Sequence, residues 1–453
     1  MYKTSTVSAL PAVFEHYRPA PNFAIFKTAG NLEGRNGYFA FGEGVVCYGR
    51  STRGKLQSSS AGPLADVSRL VQHDGGAITL PFDISQIADN LRYERYADHP
   101  TWRSWIQETF VRDLYYWLRP ALPVGLRKHL QKAYLSDWNA ISFPGWPLDR
   151  TVDVFFERLI ALAMRTLGAG RMPFIWFWPE GYDACAILTH DVETAAGRDF
   201  CWHLMDIDEE FGIKASFQIV PEQRYEVPQD FLRSIRERGF ELNLHGLSHD
   251  GNLFQGRKEF LERAGKINQY IEQYGALGFR SPVLYRNIDW FQDLHISYDM
   301  SVPNVARLEP QRGGCCTLMP YFLPGGVTEL PITTTEDYSL FHILGDYSGA
   351  LWGQQINAIL ASHGLMSFLA HPDYVSSSRA LDTFRRLLSD IARVRSDRRV
   401  WVTLPKEVDQ WWRQRSQMTL IPSGAGWKID GAGSDRARIA YAVMDGDRLV
   451  YEV

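Results

Sequence analysis

The sequence predicts an α/β protein, and three observations lead to that class. From about residue 173 onward, short apolar runs alternate with helical patterns. The alternation has the period of parallel strands joined by helices, as in an open α/β sheet or a (β/α) barrel. Three of the predicted strands also run straight into clusters of His, Asp and Glu. In parallel α/β architectures the carboxyl ends of strands form the functional face, because their loops converge there.

The bulk properties fit such a protein. At about 150 residues per domain, the 453-residue chain corresponds to roughly three domains. The 48 Lys and Arg against 52 Asp and Glu leave a net charge of -4, which excludes a nucleic-acid binder working through a basic field. With 45% hydrophobic and 22% charged residues the chain can bury large cores, and disorder, collagen and coiled coil are excluded as descriptions of the whole. The five cysteines, Cys47, Cys185, Cys201, Cys315 and Cys316, form no CxxC pair. Neither a disulfide framework nor a thiolate zinc site is expected, and the sparse odd count suits a reducing compartment. The amino terminus lacks a basic start followed by an apolar stretch of about 7–15 residues, and the apolar run 174–178 is too short to span a bilayer. A cytoplasmic protein without a membrane span is the expectation.

Taken in order, residues 1–95 read as an N-terminal mixed α+β region of short strands and turns. Phe41-Gly42-Glu43-Gly44 is a plain turn, because no Gly-Lys-Ser/Thr follows it and no amphipathic helix opens there. Residues 96–172 read as a helical region packing on the barrel. Trp102, Trp105, Ile106, Phe110, Leu114 and Trp117 recur at helical spacing over 101–119, and a second helix covers 152–167. Strands are then predicted at 184–189, 215–220, 240–244, 328–332, 365–369 and 400–404. Helices are predicted at 199–210, 228–238, 257–273, 350–362 and 378–394. One α/β domain is thus expected over 173–412, followed by a small C-terminal β unit over 413–453.

The polar clusters carry the chemistry. One strand runs into Thr189-His190-Asp191-Val192-Glu193, a second into His245-Gly246-Leu247-Ser248-His249, and a third into Ala370-His371-Pro372-Asp373. His245 and His249 are four apart, and on one helical turn such a pair points two imidazoles at one spot, as a divalent metal requires. A carboxylate from another strand end would complete a His₂-carboxylate site with an open position. Asp191 and Glu193 are two apart and share a face of a strand, so one can bind metal while the other takes a proton. Alternatively the acids cap the next helix, since Thr189, Asp191 and Thr194 are all N-cap types.

In order and spacing, Thr189-His190-Asp191-Val192-Glu193, His245-Gly246-Leu247-Ser248-His249, Arg280-Ser281-Pro282 and Phe368-Leu369-Ala370-His371-Pro372-Asp373 resemble the polysaccharide deacetylases of carbohydrate esterase family four. The resemblance covers about residues 175–410 and includes the strand around Ala215-Ser216-Phe217. It implies a distorted (β/α) barrel holding one divalent metal ion, zinc first, with cobalt, manganese or nickel as alternatives. It also implies removal of acetyl groups from a carbohydrate, a hydrolysis of a C–N bond other than a peptide bond, with metal-bound water as nucleophile. By position, Asp191 would be the general base, Glu193, His245 and His249 the metal ligands, and His371 the general acid. Arg280 would hold Asp191 in its charged form, and the backbone N–H of Val283 would stabilise the oxyanion. Asp373 or Asp299 would orient the imidazole or the arginine. Many members carry two adjacent acids where this chain has Asp191-Val192, so if Glu193 falls short of the ion, Asp191 must bind it and the base assignment fails. Val283-Leu284 and Tyr298-Asp299-Met300-Ser301 also depart from the family's pocket-forming stretches.

The expected partner is a carbohydrate, with a nucleotide- or lipid-linked sugar favoured by the expected location, and no nucleic acid. Two other readings remain: hydrolysis of a small cyclic amide or ureide at the same site, and a carbohydrate-binding protein with a degenerate site. Of the 14 Trp, Trp290 and Trp352 are the candidate sugar-stacking platforms.

Overall fold

The computed structural model describes residues 11–53, 56–97, 135, 137–397, 399–424 and 426–453. The helical stripe expected at 101–119 lies outside the described residues. Contacts group the chain into two units, Met1–Arg92 with Arg150–Gly181 and Trp411–Val453, and Tyr93–Asp149 with Tyr182–Gln410.

The second unit is built on nine strands: β1 (Ala184–Val192), β2 (Ser216–Ile219), β3 (Glu241–His245), β4 (Gly278–Arg280), β5 (Tyr298–Asp299), β6 (Tyr321–Phe322), β7 (Thr328–Glu329), β8 (Leu365–Ala370) and β9 (Val400–Val402). Their order is β6-β7-β5-β4-β3-β2-β1-β8, and β9 pairs β1. Every pairing is parallel except β6 with β7. The expected barrel therefore differs in its closure: among the described residues the backbone ladder does not run full circle. Instead, threonines in the segment after β7 bind β8. Thr333 donates from Oγ1 to Leu365 O at 2.6 Å and accepts from Ser367 N at 2.9 Å, and Thr334 Oγ1 donates to Ser367 O at 2.8 Å. Side-chain hydroxyls thus satisfy backbone groups that an edge strand otherwise leaves open.

Period-two alternation gives the sheet two unlike faces. Leu188, Phe217, Ile219, Leu242, Leu244, Met366 and Phe368 join one apolar core with the helices. The other face carries Thr189, Asp191, Ser216, Gln218, Asn243, His245 and Arg280, all buried. Helix α1 (Ala195–Glu210) follows β1, α2 (Gln229–Glu237) follows β2, and α3 (Arg257–Tyr274) follows β3. Before and after β8 come α4 (Ala350–Leu360) and α5 (Ser378–Asp397). Phe384, Leu387, Leu388, Ile391 and Val394 of α5 recur at helical spacing and are its buried stripe. Strands β4 and β5 were not predicted. At three and two residues they are too short for a period to show.

In the other unit, helices form at Ala12–Tyr17 and Ile84–Arg92, beyond the strands and turns expected there. Gly42 and Gly44, at φ 75° and 74°, make the expected turn between the hairpin strands Gly37–Ala40 and Val46–Gly49. The C-terminal strands are not self-contained, because Ile439–Asp445 pairs with Arg171–Ile175 as well as with Arg448–Glu452. Arg415 is buried there and donates to the carbonyls of His16, Ile175 and Trp176. Burial first, and then the Arg18 guanidinium, pull its pKa down to about 9. Trp176, Trp178 and Trp411 are among the largest fully buried side chains, so this part of the aromatic surplus is packing. Among the described residues no helix is long and apolar enough to cross a membrane. All five cysteines are buried thiols.

Asn243 ties β2, β3, β4 and β5 together. Its Oδ1 accepts from Gly278 N at 2.7 Å, and its amide donates to Ser216 Oγ at 2.8 Å and Tyr298 Oη at 2.6 Å. Asn243→Leu keeps the branching but strands these groups, at about 1–3 kcal/mol for each one left unmet. A stability loss of about 3 kcal/mol is expected in urea unfolding. A midpoint equal to wild type would show that the network does not hold the sheet.

Candidate active site

The site grows from the polar face of the sheet. Thr189 and Asp191 lie two apart on β1 and both reach Arg280 of β4. Its Nη1 donates to Thr189 Oγ1 at 2.8 Å and to Asp191 Oδ1 at 2.9 Å, while Nε donates to Met300 O at 2.8 Å. Burial pushes the Asp191 carboxyl up. The Arg280 guanidinium first, then the imidazoles of His245 and His371, outweigh burial and hold it below the usual carboxylate value.

Glu193 follows β1 directly. Thr194 is the cap of α1, accepting from Gly197 N at 3.0 Å, so the capping role falls to it and not to the two acids. His245 ends β3, with Nδ1 at 3.1 Å from Arg280 O. A carbonyl only accepts, so Nδ1 carries a proton and Nε2 is the nitrogen turned into the site. That Nε2 lies 3.4 Å from Glu193 Oε1 and 3.6 Å from Asp191 Oδ2. His249 Nε2 lies 2.7 Å from the same Glu193 oxygen. One ligand atom from each of Glu193, His245 and His249 falls within 4.8 Å of the other two. Two imidazole nitrogens and a carboxylate oxygen form a donor set that fits a divalent ion with an open position. Burial raises the Glu193 carboxyl, but His249 first, then His245 and His371, hold it well below the usual range.

The two histidines do not converge through a helical turn, as their spacing suggested. His245 closes a strand, and the chain reverses through Gly246 at φ 65° and His249 at φ 51°. A Cβ at Gly246 would lie 2.4 Å from Pro282 Cγ, so only glycine lets this loop pass the proline.

His371 follows β8. Its Nδ1 lies 2.7 Å from Asp337 Oδ1, its backbone N–H donates to Asp337 Oδ2 at 2.7 Å, and its Nε2 is 3.5 Å from Glu193 Oε1. Burial pulls the imidazole down, yet Asp337 first and then Glu193 raise it well above the ordinary histidine value. Sequence reasoning missed Asp337 and looked to Asp373 and Asp299 instead. Asp299 accepts from Ser301 N and Ser301 Oγ, and Asp373 makes no described bond to His371. The available signal was the acid pair Glu336-Asp337 after a β-branched run. Burial pushes Glu336 up to about 8, so at neutral pH its carboxyl can both donate and accept a hydrogen bond.

Val283 lies in a turn closed by Leu284 N to Ser281 O at 3.1 Å and Tyr285 N to Pro282 O at 3.2 Å. Its φ of 59° is an outlier for a β-branched residue, so strain is stored here. Of the two tryptophan platforms, Trp352 is corrected and Trp290 stays half-buried. Trp352 is 2% exposed and donates its indole N–H to Thr335 O. Trp290 packs on Phe260 and Phe254, with ring centroids at 5.2 and 6.1 Å.

The raised His371 has a pH consequence. Its protonated form contributes stability that is fully present below the unfolded histidine value and lost as pH rises through the higher folded value. Asp337→Asn is expected to move the His371 midpoint down and to remove that loss, as read by imidazole NMR titration and by melting temperature against pH. An unchanged midpoint would rule out Asp337 as the cause.

No family model and no curated protein matches this chain. Solved structures do resemble part of it. One, from Mycobacterium smegmatis and designated a polysaccharide deacetylase, is 17% identical with a TM-score of 0.43, over 56% of this chain and 98% of its own. The Puue allantoinase is 15% identical with a TM-score of 0.42, over 52% and 92%. The peptidoglycan deacetylase PdaC from Bacillus subtilis is 13% identical with a TM-score of 0.34, over 52% and 95%. Over about half its length, the chain is similar to polysaccharide deacetylases.

Proposed function

We propose that the chain is a metal-dependent hydrolase that removes an N-acetyl group from a carbohydrate. One observation carries the reading: an ionised carboxylate and a protonated imidazole flank a single His₂-carboxylate cluster. Asp191 Oδ2 is 3.6 Å from His245 Nε2, and His371 Nε2 is 3.5 Å from Glu193 Oε1. The motif resemblance over about residues 175–410 assigns the same residues to the same tasks.

A divalent ion held by Glu193, His245 and His249 would lower the pKa of a water and polarise the acetyl carbonyl. The chain's own groups then move the protons. Asp191, kept ionised by Arg280, accepts the proton that the attacking water loses as its oxygen bonds to the acetyl carbon. The Val283 N–H is assigned to the carbonyl oxygen as it gains negative charge. His371, kept protonated by Asp337, gives its proton to the sugar nitrogen as the C–N bond breaks. Acetate and a free amine leave. Glu336 sits where it can read a hydroxyl of an uncharged sugar.

The test is acetate release from N-acetylated saccharides, offered free and linked to nucleotide or lipid. Chelator is expected to abolish activity, and added zinc to restore it. Asp191→Asn is expected to lower kcat by about 10²–10⁴-fold, the usual contribution of a positioned general base, with KM little changed. Activity surviving both treatments would refute the mechanism. Hydrolysis of a cyclic ureide without acetate release would keep the site and change the bond.

A further inference from the structure

The two imidazoles facing Glu193 are not held alike. His245 donates from Nδ1 to the Arg280 carbonyl, which fixes its ring and its proton. His249 is 4% exposed, and its Nδ1 has no hydrogen-bond partner among the described residues. With Nε2 given to a metal ion beside Glu193, the ring proton would sit on Nδ1. A buried donor left without an acceptor costs about 1–3 kcal/mol.

A second orphan lies beside it. Ser281 is fully buried, and its Oγ has no partner among the described residues. Its backbone N–H already donates to Ser301 Oγ at 2.8 Å, so the hydroxyl plays no part in holding the turn. His249 and Ser281 line one cavity, together with Ser248, Asp250, Arg263 and Tyr285. The charged pair in its wall is already engaged, since Arg263 Nη1 donates to both Asp250 oxygens at 2.8 Å. About 10 Å³ of the cavity is open to the centre of a water molecule, room for about one.

We propose that this cavity holds one water that accepts from His249 Nδ1–H and donates to Ser281 Oγ, making Ser281 a positioning residue for the histidine ligand. The inference rests on the reading of Glu193, His245 and His249 as a metal site. A metal-bound histidine needs an acceptor for its other N–H to fix tautomer and ring orientation, and loss of such a partner typically weakens metal binding 10–100-fold.

The experiment measures zinc affinity of the full chain by competition with a chelating dye, for wild type, Ser281→Ala and Ser281→Thr. Wild type is expected to bind one zinc. Ser281→Ala is expected to bind about tenfold more weakly while its metal-free melting temperature stays at the wild-type value, and Ser281→Thr, which keeps the hydroxyl, to recover the affinity. A crystal structure with zinc is expected to show the water between His249 Nδ1 and Ser281 Oγ. Equal affinity of wild type and Ser281→Ala overturns the role of Ser281 and leaves the metal site standing. No zinc uptake by wild type overturns the metal site, and this inference with it.

Discussion

A guanidinium with no exposed surface must be paired, and the arrangement around Arg280 follows from that requirement. Its side chain bonds Thr189 and Asp191 on β1 and the Met300 carbonyl after β5, and its own carbonyl receives His245 Nδ1 from β3. One residue therefore links four stretches of the sheet region. It also keeps Asp191 ionised and turns His245 Nε2 toward Glu193. Removing one partner of such a buried pair leaves an uncompensated charge, so the interaction constrains the fold whether or not it adds net stability.

Around this anchor the protein separates two proton functions by their partners. Asp191 faces a fixed cation and is held below its usual value; His371 faces the fixed anion Asp337 and is held above its own. Burial opposes the charged form of both, and in each case the neighbouring charge wins. Environments that push two groups apart in this way are how a base and an acid coexist at one pH. The unlike faces of the sheet make this affordable: the apolar side packs the helices, so the polar side is free to carry charge.

Much of this was legible in the chain itself. Strands β1, β3 and β8 are long enough for apolar periodicity to show, and each ends in the polar residues that meet at the site. Three kinds of feature were not legible. Strands β4 and β5 are too short to carry a period. Asp337 sits in an irregular segment, where nothing local marks it as the partner of His371. Trp352 was indistinguishable from a surface platform until packing buried it, because an aromatic ring reads the same in a core and in a cleft.

By itself the sequence determined the α/β class, the placement of His, Asp and Glu at strand ends, and the resemblance that links them. Those properties depend on short-range periodicity and residue type, which local order preserves. Only the tertiary structure decided how His245 and His249 meet, through a left-handed loop packed on Pro282 instead of a helical turn. It alone decided that Glu193 approaches both imidazoles, that Asp337 holds His371, and that threonine hydroxyls meet β8 where the backbone ladder stops. Each of these is a contact between residues far apart in the chain or a backbone state that packing imposes, and no local pattern encodes either.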